Sequence, residues 1–206
     1  MWIDPETGDI ATTHAQVRAL RPNWSGPSIM TDEMVADLGF VVVNPVEPTY
    51  NPITQKAVAE APKLVSGQWQ QSWKIVALTP EEAAANRKAA VSSRWSEIMA
   101  YRDGRQRGGV LVDGKWFHSD DSSRIQQISL VMVGPNIPLG LQWKTMDGSF
   151  VTMTPELAGK VFSSSIASDQ AIFACAERHR TAMSQSADPA TYNFYVDWPP
   201  IYGEAA

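Results

Sequence analysis

The chain contains a single cysteine, Cys175, which excludes an internal disulfide and a cysteine-based zinc site. That usage fits a protein made and kept in a reducing cytoplasm. Histidine is equally sparse, with only His14, His118 and His179, and there is no glycine-rich phosphate loop. No run of about 18 apolar residues occurs, so neither a transmembrane helix nor membrane insertion is expected. The opening residues MWIDPETGDI are acidic and polar, unlike a signal peptide. Positive charge is also short: 17 Lys and Arg face 22 Asp and Glu, a net charge of −5. Nucleic acid is therefore not an expected partner, since binding it requires a basic patch. Hydrophobic residues make up 44% of the chain against 19% charged, enough for a substantial core.

What the chain does have is eight tryptophans and fourteen prolines. Large aromatics dominate both the cores of small β units and protein interfaces. Residues 108–157 hold two similar units in tandem. The first runs Val110-Leu111-Val112, Asp113-Gly114, Lys115-Trp116-Phe117-His118, then Ser119 as a helix cap. The second runs Leu141-Gln142-Trp143-Lys144-Thr145-Met146, Asp147-Gly148, Ser149-Phe150-Val151-Thr152-Met153, then Thr154-Pro155-Glu156. Asp-Gly between β-prone runs predicts a hairpin through a type I′ turn, which needs two positive φ angles. Thr-Pro-Glu predicts a helix start, with Thr accepting from free N–H groups and Pro at the first helical position. The same signature recurs at Thr79-Pro80-Glu81.

The predicted fold class is α+β, in four segments. Residues 1–45 read as a small α+β attachment module, with strands near Trp2-Ile3 and over residues 40–43 and helices over 13–20 and 31–39. Residues 46–79 read as a Pro-rich extended connector followed by a hairpin of residues 61–65 and 68–76 through Ser66-Gly67. Trp69, Trp73 and Ile75 share parity, so one face of that hairpin is aromatic. Residues 80–104 predict a long alanine-rich helix carrying Val91, Trp95, Ile98 and Met99 in one stripe, which Ala84 and Arg102 extend. That stripe is the candidate oligomer interface, and packing on its own domain is the competing reading. Residues 105–206 predict a hairpin and helix domain. In it, Ile125, Ile128, Val131 and Met132 are expected as the buried side of a helix over 121–133. Phe162, Ile166, Phe173, Ala176 and Met183 are expected as the apolar stripe of a helix over 155–186. The aromatic, proline-rich tail after Asp188 should dock on its own domain or on a partner.

Chemistry finds little footing. His118-Ser119-Asp120-Asp121 is the one cluster with metal-ligand character, and it reads better as a helix start, with Ser119 as cap and the aspartates on the dipole. His14 reads as a surface or capping residue, and Cys175 as a small buried hydrophobe. No catalytic, cofactor or metal residues are assigned, and an enzyme is not expected. Trp116 and Trp143 are the candidate exposed aromatics for recognition.

The two tandem units, from Gly109 to Asp120 and from Leu141 to Thr154, resemble a carboxyl-terminal domain of unknown function in tail proteins of tailed bacteriophages. That resemblance spans roughly residues 85–195. The amino-terminal half is similar to phage tail-fibre and tail-fibre-assembly-like proteins, through Val17-Arg18-Ala19-Leu20-Arg21-Pro22-Asn23, Leu38-Gly39-Phe40-Val41-Val42 and the Trp hairpin over 67–82. The resemblance implies a phage tail context and brings no catalytic residues. It leads us to expect a virion component made in the bacterial host cytoplasm: a baseplate-associated short fibre or fibre adaptor. Such a protein would be a homotrimer in contact with other tail, baseplate or fibre proteins. A tail-fibre assembly chaperone and a receptor or carbohydrate-binding tip facing the host surface are the alternatives.

Overall fold

Four threonines set four helix starts. Thr13, Thr31, Thr79 and Thr154 accept through Oγ1 from the backbone N–H groups of Gln16 (3.3 Å), Met34 (3.3 Å), Glu82 (3.2 Å) and Leu157 (3.1 Å). Each satisfies a donor that the first helical turn leaves without an intrahelical partner. The computed structural model describes residues 1–204. Its helices are α1 (His14–Leu20), α2 (Asp32–Asp37), α3 (Pro80–Gln106), α4 (Asp121–Val133) and α5 (Pro155–Gln185). Its strands are β1 (Trp2–Ile3), β2 (Ile10–Ala11), β3 (Val41–Val42), β4 (Gln55–Val65), β5 (Gln68–Ala77), β6 (Val110–Val112), β7 (Lys115–Phe117), β8 (Gln142–Lys144) and β9 (Phe150–Thr152). The fold class is α+β, as read from the sequence. The four segments resolve into two compact units, Met1–Asn86 and Arg87–Ala206.

In the first unit, β1 is the central strand of a small antiparallel sheet in the order β2-β1-β3. α1 and α2 supply Val17 and Val35 to a core shared with Ala11, Met30 and Phe40. Asp4 ends β1 and is buried, with Oδ1 accepting from the Glu6 N–H at 2.9 Å and Oδ2 paired to Arg21. The Arg21 guanidinium holds the Asp4 carboxyl below the usual carboxylate range and lies 4.6 Å from the centre of the Phe40 ring.

β4 and β5 form a separate two-stranded ribbon. The extended connector is shorter than predicted, because β4 begins at Gln55 rather than Ala61. Pro62 falls inside it, and the register shifts between Glu60 and Lys63. Proline donates no hydrogen bond, so a strand admits it at an edge or a bulge, and β4 is an edge strand with both. Ser66 (φ 50) and Gly67 (φ 78) close the ribbon in the two left-handed conformations of a type I′ turn. The register sets Leu64 opposite Trp69, Ala59 opposite Trp73 and Ala57 opposite Ile75, so the aromatic face is real. The Trp73 indole N–H donates to the Val46 carbonyl at 2.5 Å.

The second unit contains the two tandem hairpins, and they differ. Asp113 (φ 49) and Gly114 (φ 77) make the expected type I′ turn between β6 and β7. Between β8 and β9 only Gly148 is left-handed (φ 84), and the loop is longer. The Asp147 carboxylate accepts from the Thr145 hydroxyl (2.6 Å), the Ser149 N–H (2.9 Å) and the Ser149 hydroxyl (2.7 Å). Those local bonds hold Asp147 out of the left-handed conformation that Asp113 adopts. The hairpins meet where the Met146 N–H donates to the Trp116 carbonyl at 2.9 Å. One core joins Val110, Val112, Phe117, Ile137, Met153, Ala158 and Val161. A second joins Ile98 of α3, Ala176 and Met183 of α5, and Phe194 of the tail.

Two helix faces differ from expectation. α5 buries Ala158, Val161, Ser165, Ile172, Cys175, Ala176, His179 and Met183, while Ile166 and Phe173 are exposed. Small residues let neighbouring backbones approach, and that outweighs the size of the side chains that hydropathy picks out. On α4 the expectation is inverted: Ile125, Ile128, Val131 and Met132 face outward, and Gln127 is the buried residue. The space beneath α4 holds backbone carbonyls that need donors, and apolar side chains offer none.

Candidate functional site

The polar residues of the second unit gather at the start of α4. Gln127 Nε2 donates to the His118 carbonyl at 2.7 Å. Arg124 donates through Nε to the Ser119 carbonyl (2.6 Å) and through Nη2 to the Gln106 carbonyl (3.0 Å). It also grips Asp169 of α5 with two bonds of 2.5 and 2.9 Å, to which Gln106 Nε2 adds a third at 3.2 Å. Asp169 raises the proton affinity of the Arg124 guanidinium. All three nitrogens of that guanidinium are engaged within the protein, so the cluster ties α3, α4 and α5 together.

The cap of α4 is Asp120, not Ser119. Asp120 Oδ1 accepts from the Ser123 N–H at 3.0 Å, and the hydroxyls of Ser122 and Ser123 hold its carboxyl far below the ordinary value. Ser119 is buried instead, accepting from the Gly109 N–H (2.8 Å) and donating to the Gln106 carbonyl (2.7 Å). The two serve different ends, and substitution separates them. Asp120→Ala should cost about 1 kcal/mol. Ser119→Ala should cost about 1–3 kcal/mol, because it strands a buried donor and an acceptor. Urea unfolding measures both. The folded Asp120 value is lowered, so its contribution is present above 3.8 and fades as pH falls through the folded value.

The remaining reactive side chains are committed to structure. Cys175 is buried, its thiol donates to the Asp197 carbonyl at 3.2 Å, and burial pushes its pKa up. His179 is stacked on Trp198 with centroids 5.3 Å apart. A carbonyl only accepts, so His179 Nε2–H donates to the Val196 carbonyl (2.9 Å) and Nδ1 accepts from the Tyr192 hydroxyl (3.0 Å). In the first unit His14 Nδ1 accepts from the Met30 N–H at 3.3 Å. Among the described residues no group of three or more His, Cys, Asp or Glu is arranged to hold a metal ion.

The predicted interface stripe on α3 is divided. Ile98 is 0% exposed within its own unit, so no other subunit reaches it. Val91 and Trp95 pack at the margin of the same core and line a groove of about 570 Å³ with Lys88, Met183 and Ser184. Arg180 of α5 covers the Trp95 ring at 5.0 Å. Met99 is partly buried. Both recognition tryptophans are also partly buried: Trp143 packs against the hairpin core, and Trp116 meets Tyr202 edge-on at 6.3 Å.

Apolar side chains missed as surface are the more telling group. On the ribbon, Val58, Leu64, Val65 and Ile75 are exposed. On α4, Ile125 is 66% exposed, Ile128 43% and Met132 81%. The sequence signal for α4 was its apolar stripe, correctly seen and assigned to the wrong side.

No curated protein and no solved structure matches the chain. Residues 86–197 match the family described as "Domain of unknown function (DUF4376)", a span that opens beside the boundary of the second unit at Arg87. That match covers more than half of the chain, which therefore belongs to the DUF4376 family.

Proposed function

We propose that this chain is a structural component of a phage tail, a baseplate-associated short fibre or fibre adaptor that acts by oligomeric assembly and not by catalysis. The observation that supports the assembly role is the β4–β5 ribbon. Its strands of 11 and 10 residues are each longer than a typical strand, yet among the described residues they pair only with one another apart from a single bridge at Asn44. A two-stranded ribbon is at best marginally stable alone in water, and this one leaves valines and leucine on its surface. A partner chain laid against it supplies the missing layer. The phage tail context comes from the sequence resemblance. On this reading the chain is a virion component made in the host cytoplasm, a homotrimer that contacts other tail or fibre proteins. The partial burial of Trp116 and Trp143 weighs against a carbohydrate platform built on them.

Mass spectrometry of CsCl-banded virions tests the proposal. The chain should appear at a fixed copy number relative to known tail proteins. Absence from virions, with abundance in infected lysate, would replace this reading with that of a fibre assembly chaperone.

A further inference from the structure

We propose that the open edge of β4 pairs with β4 of a second copy, antiparallel and centred on Val58, so that two ribbons join into one four-stranded sheet. The proposal goes beyond the assembly reading above and rests on it only in taking the chain to self-associate.

The hydrogen-bond pattern defines the edge. The Leu78 N–H donates to the Thr54 carbonyl at 2.9 Å, and the register runs on from there with Gln55 opposite Ala77 and Lys56 opposite Val76. Bonded and non-bonded pairs alternate along an antiparallel ladder. Lys56, Val58 and Glu60 therefore bond to β5, while Ala57 and Ala59 turn their N–H and C=O groups away from it. Among the described residues no other strand lies on that side. The outer edge of β5 differs, because Asn44 accepts from the Gln71 N–H at 3.0 Å and donates to the Trp69 carbonyl at 2.8 Å. Pro62 and the register shift close the β4 edge at one end, leaving a short open run from Gln55 to Ala61. A row of unpaired main-chain groups is completed by an extended backbone.

The side chains select whose backbone it is. Lys56, Val58 and Glu60 share one face of β4. About a two-fold axis at Val58, Ala57 meets Ala59 of the second copy and exchanges both backbone hydrogen bonds with it, and Ala59 does the same with Ala57 of the second copy. In that register Lys56 lies opposite Glu60 of the second copy, and Glu60 opposite Lys56 of the second copy. Opposite charges across a strand pair are stabilising. A slip of two residues either way loses both charge pairs and sets Val58 opposite Lys56 or Glu60. Only Val58, which is 46% exposed, meets itself. The open run is thus complementary in charge to its own reverse, which makes a second copy its matched partner. In the single chain Lys56 pairs with Glu82 at 2.8 Å and Glu60 with Lys63 at 3.6 Å, and all four side chains are at least 41% exposed. Exposed pairs of that kind hold little energy, so a new partner displaces them readily. A two-fold contact joins copies in pairs, and on a homotrimer it unites two trimers.

The test is sedimentation of the full chain over a concentration series. The wild type should associate into an even number of chains, a dimer by this contact alone or a hexamer where it joins two trimers. Lys56→Glu and Glu60→Lys each set like charges opposite one another at two symmetric places, and each should weaken association about tenfold. The double variant Lys56→Glu/Glu60→Lys restores opposite charges in the same register and should recover the lost affinity, with all variants keeping the wild-type far-UV spectrum. Val58→Cys reads the register directly. Opposed residues of a non-bonded pair have Cα atoms about 4.5 Å apart, so this variant should form an intermolecular disulfide on oxidation. Cys175 is buried and does not compete. A monomeric or trimeric wild type, a double variant no tighter than the single ones, or a Val58→Cys chain that never cross-links overturns the proposal. Absence from virions would defeat the tail reading and leave a positive sedimentation result standing. A chain present in virions but monomeric in solution would do the reverse.

Discussion

Phe194→Ala should cost the second unit about 3–5 kcal/mol, the range for emptying a fully buried aromatic site. Phe194 is 1% exposed, although it lies in an irregular stretch of the tail just after the 3-10 turn Pro189–Thr191. It fills the core between Ile98, Ala176 and Met183. Tyr101 meets its ring edge-on at 5.8 Å, and the Arg94 guanidinium sits 4.9 Å from its centre. Its own carbonyl accepts from the Trp198 indole N–H at 2.6 Å, so losing the ring also loosens the segment that carries Trp198. The adjoining Tyr195 is mostly exposed, and Tyr195→Ala should cost only about 0.5 kcal/mol. Urea unfolding of the two full-length variants, with hydrogen exchange read on α3 and α5, separates the outcomes. Equal and small losses would mean that the tail only rests on the surface.

Arg105→Ala should be the second large loss, about 2–4 kcal/mol. Arg105 lies in the last turn of α3 and is 5% exposed. Its Nη1 and Nη2 donate to the two carboxylate oxygens of Glu204 at 2.7 and 2.6 Å, and Nη2 also donates to the Pro199 carbonyl. Truncation leaves the Pro199 carbonyl without this donor. Glu204 is partly exposed and rehydrates, which keeps the cost below that of breaking a fully buried pair. Acid should act through the same pair. The Arg105 hydrogen bonds hold the Glu204 carboxyl below its ordinary value of 4.5. Its stabilising contribution is therefore present above 4.5 and is lost as pH falls through the lower folded value. The stability gap between wild type and Arg105→Ala should narrow over that acid range. A gap that stays constant with pH would remove Glu204 from the account.

Much of the local structure was legible because single residues specify it. Thr154 ahead of Pro155, Ser66-Gly67 and Asp113-Gly114 each set a few backbone angles through chemistry contained in two or three residues. The α4 stripe was equally visible, but periodicity gives the angle between apolar and polar faces and not which of them turns inward. That choice belongs to Gln106, His118 and Ser119, whose carbonyls draw Arg124 and Gln127 beneath the helix. The Arg124–Asp169 pair spans 45 residues and the Arg105–Glu204 pair 99, distances over which no local pattern carries information. The start of β4 was hidden by the prolines nearby, since a proline argues against a strand unless the strand lies at an edge. Of the candidate site, the residue types were readable and their exposure was not. Ile98 and Ile128 look alike in sequence, and only the packing of α3 against α5 and the tail buries the first.

The long return of the tail also sets a timetable. Arg87 is bonded to the carbonyls of Ser184 and Ser186, Arg94 to that of Tyr192, and Arg105 to Glu204, so three points along α3 await residues 97 to 99 positions later. At a synthesis rate of about 5–20 residues per second, α3 leaves the ribosome roughly 5–20 s before those partners exist. The first unit has all of its own contacts by then. The second stays open on the nascent chain with Ile98 uncovered, and it closes only after Glu204 emerges. That interval is one in which a chaperone that holds apolar helices would find its substrate.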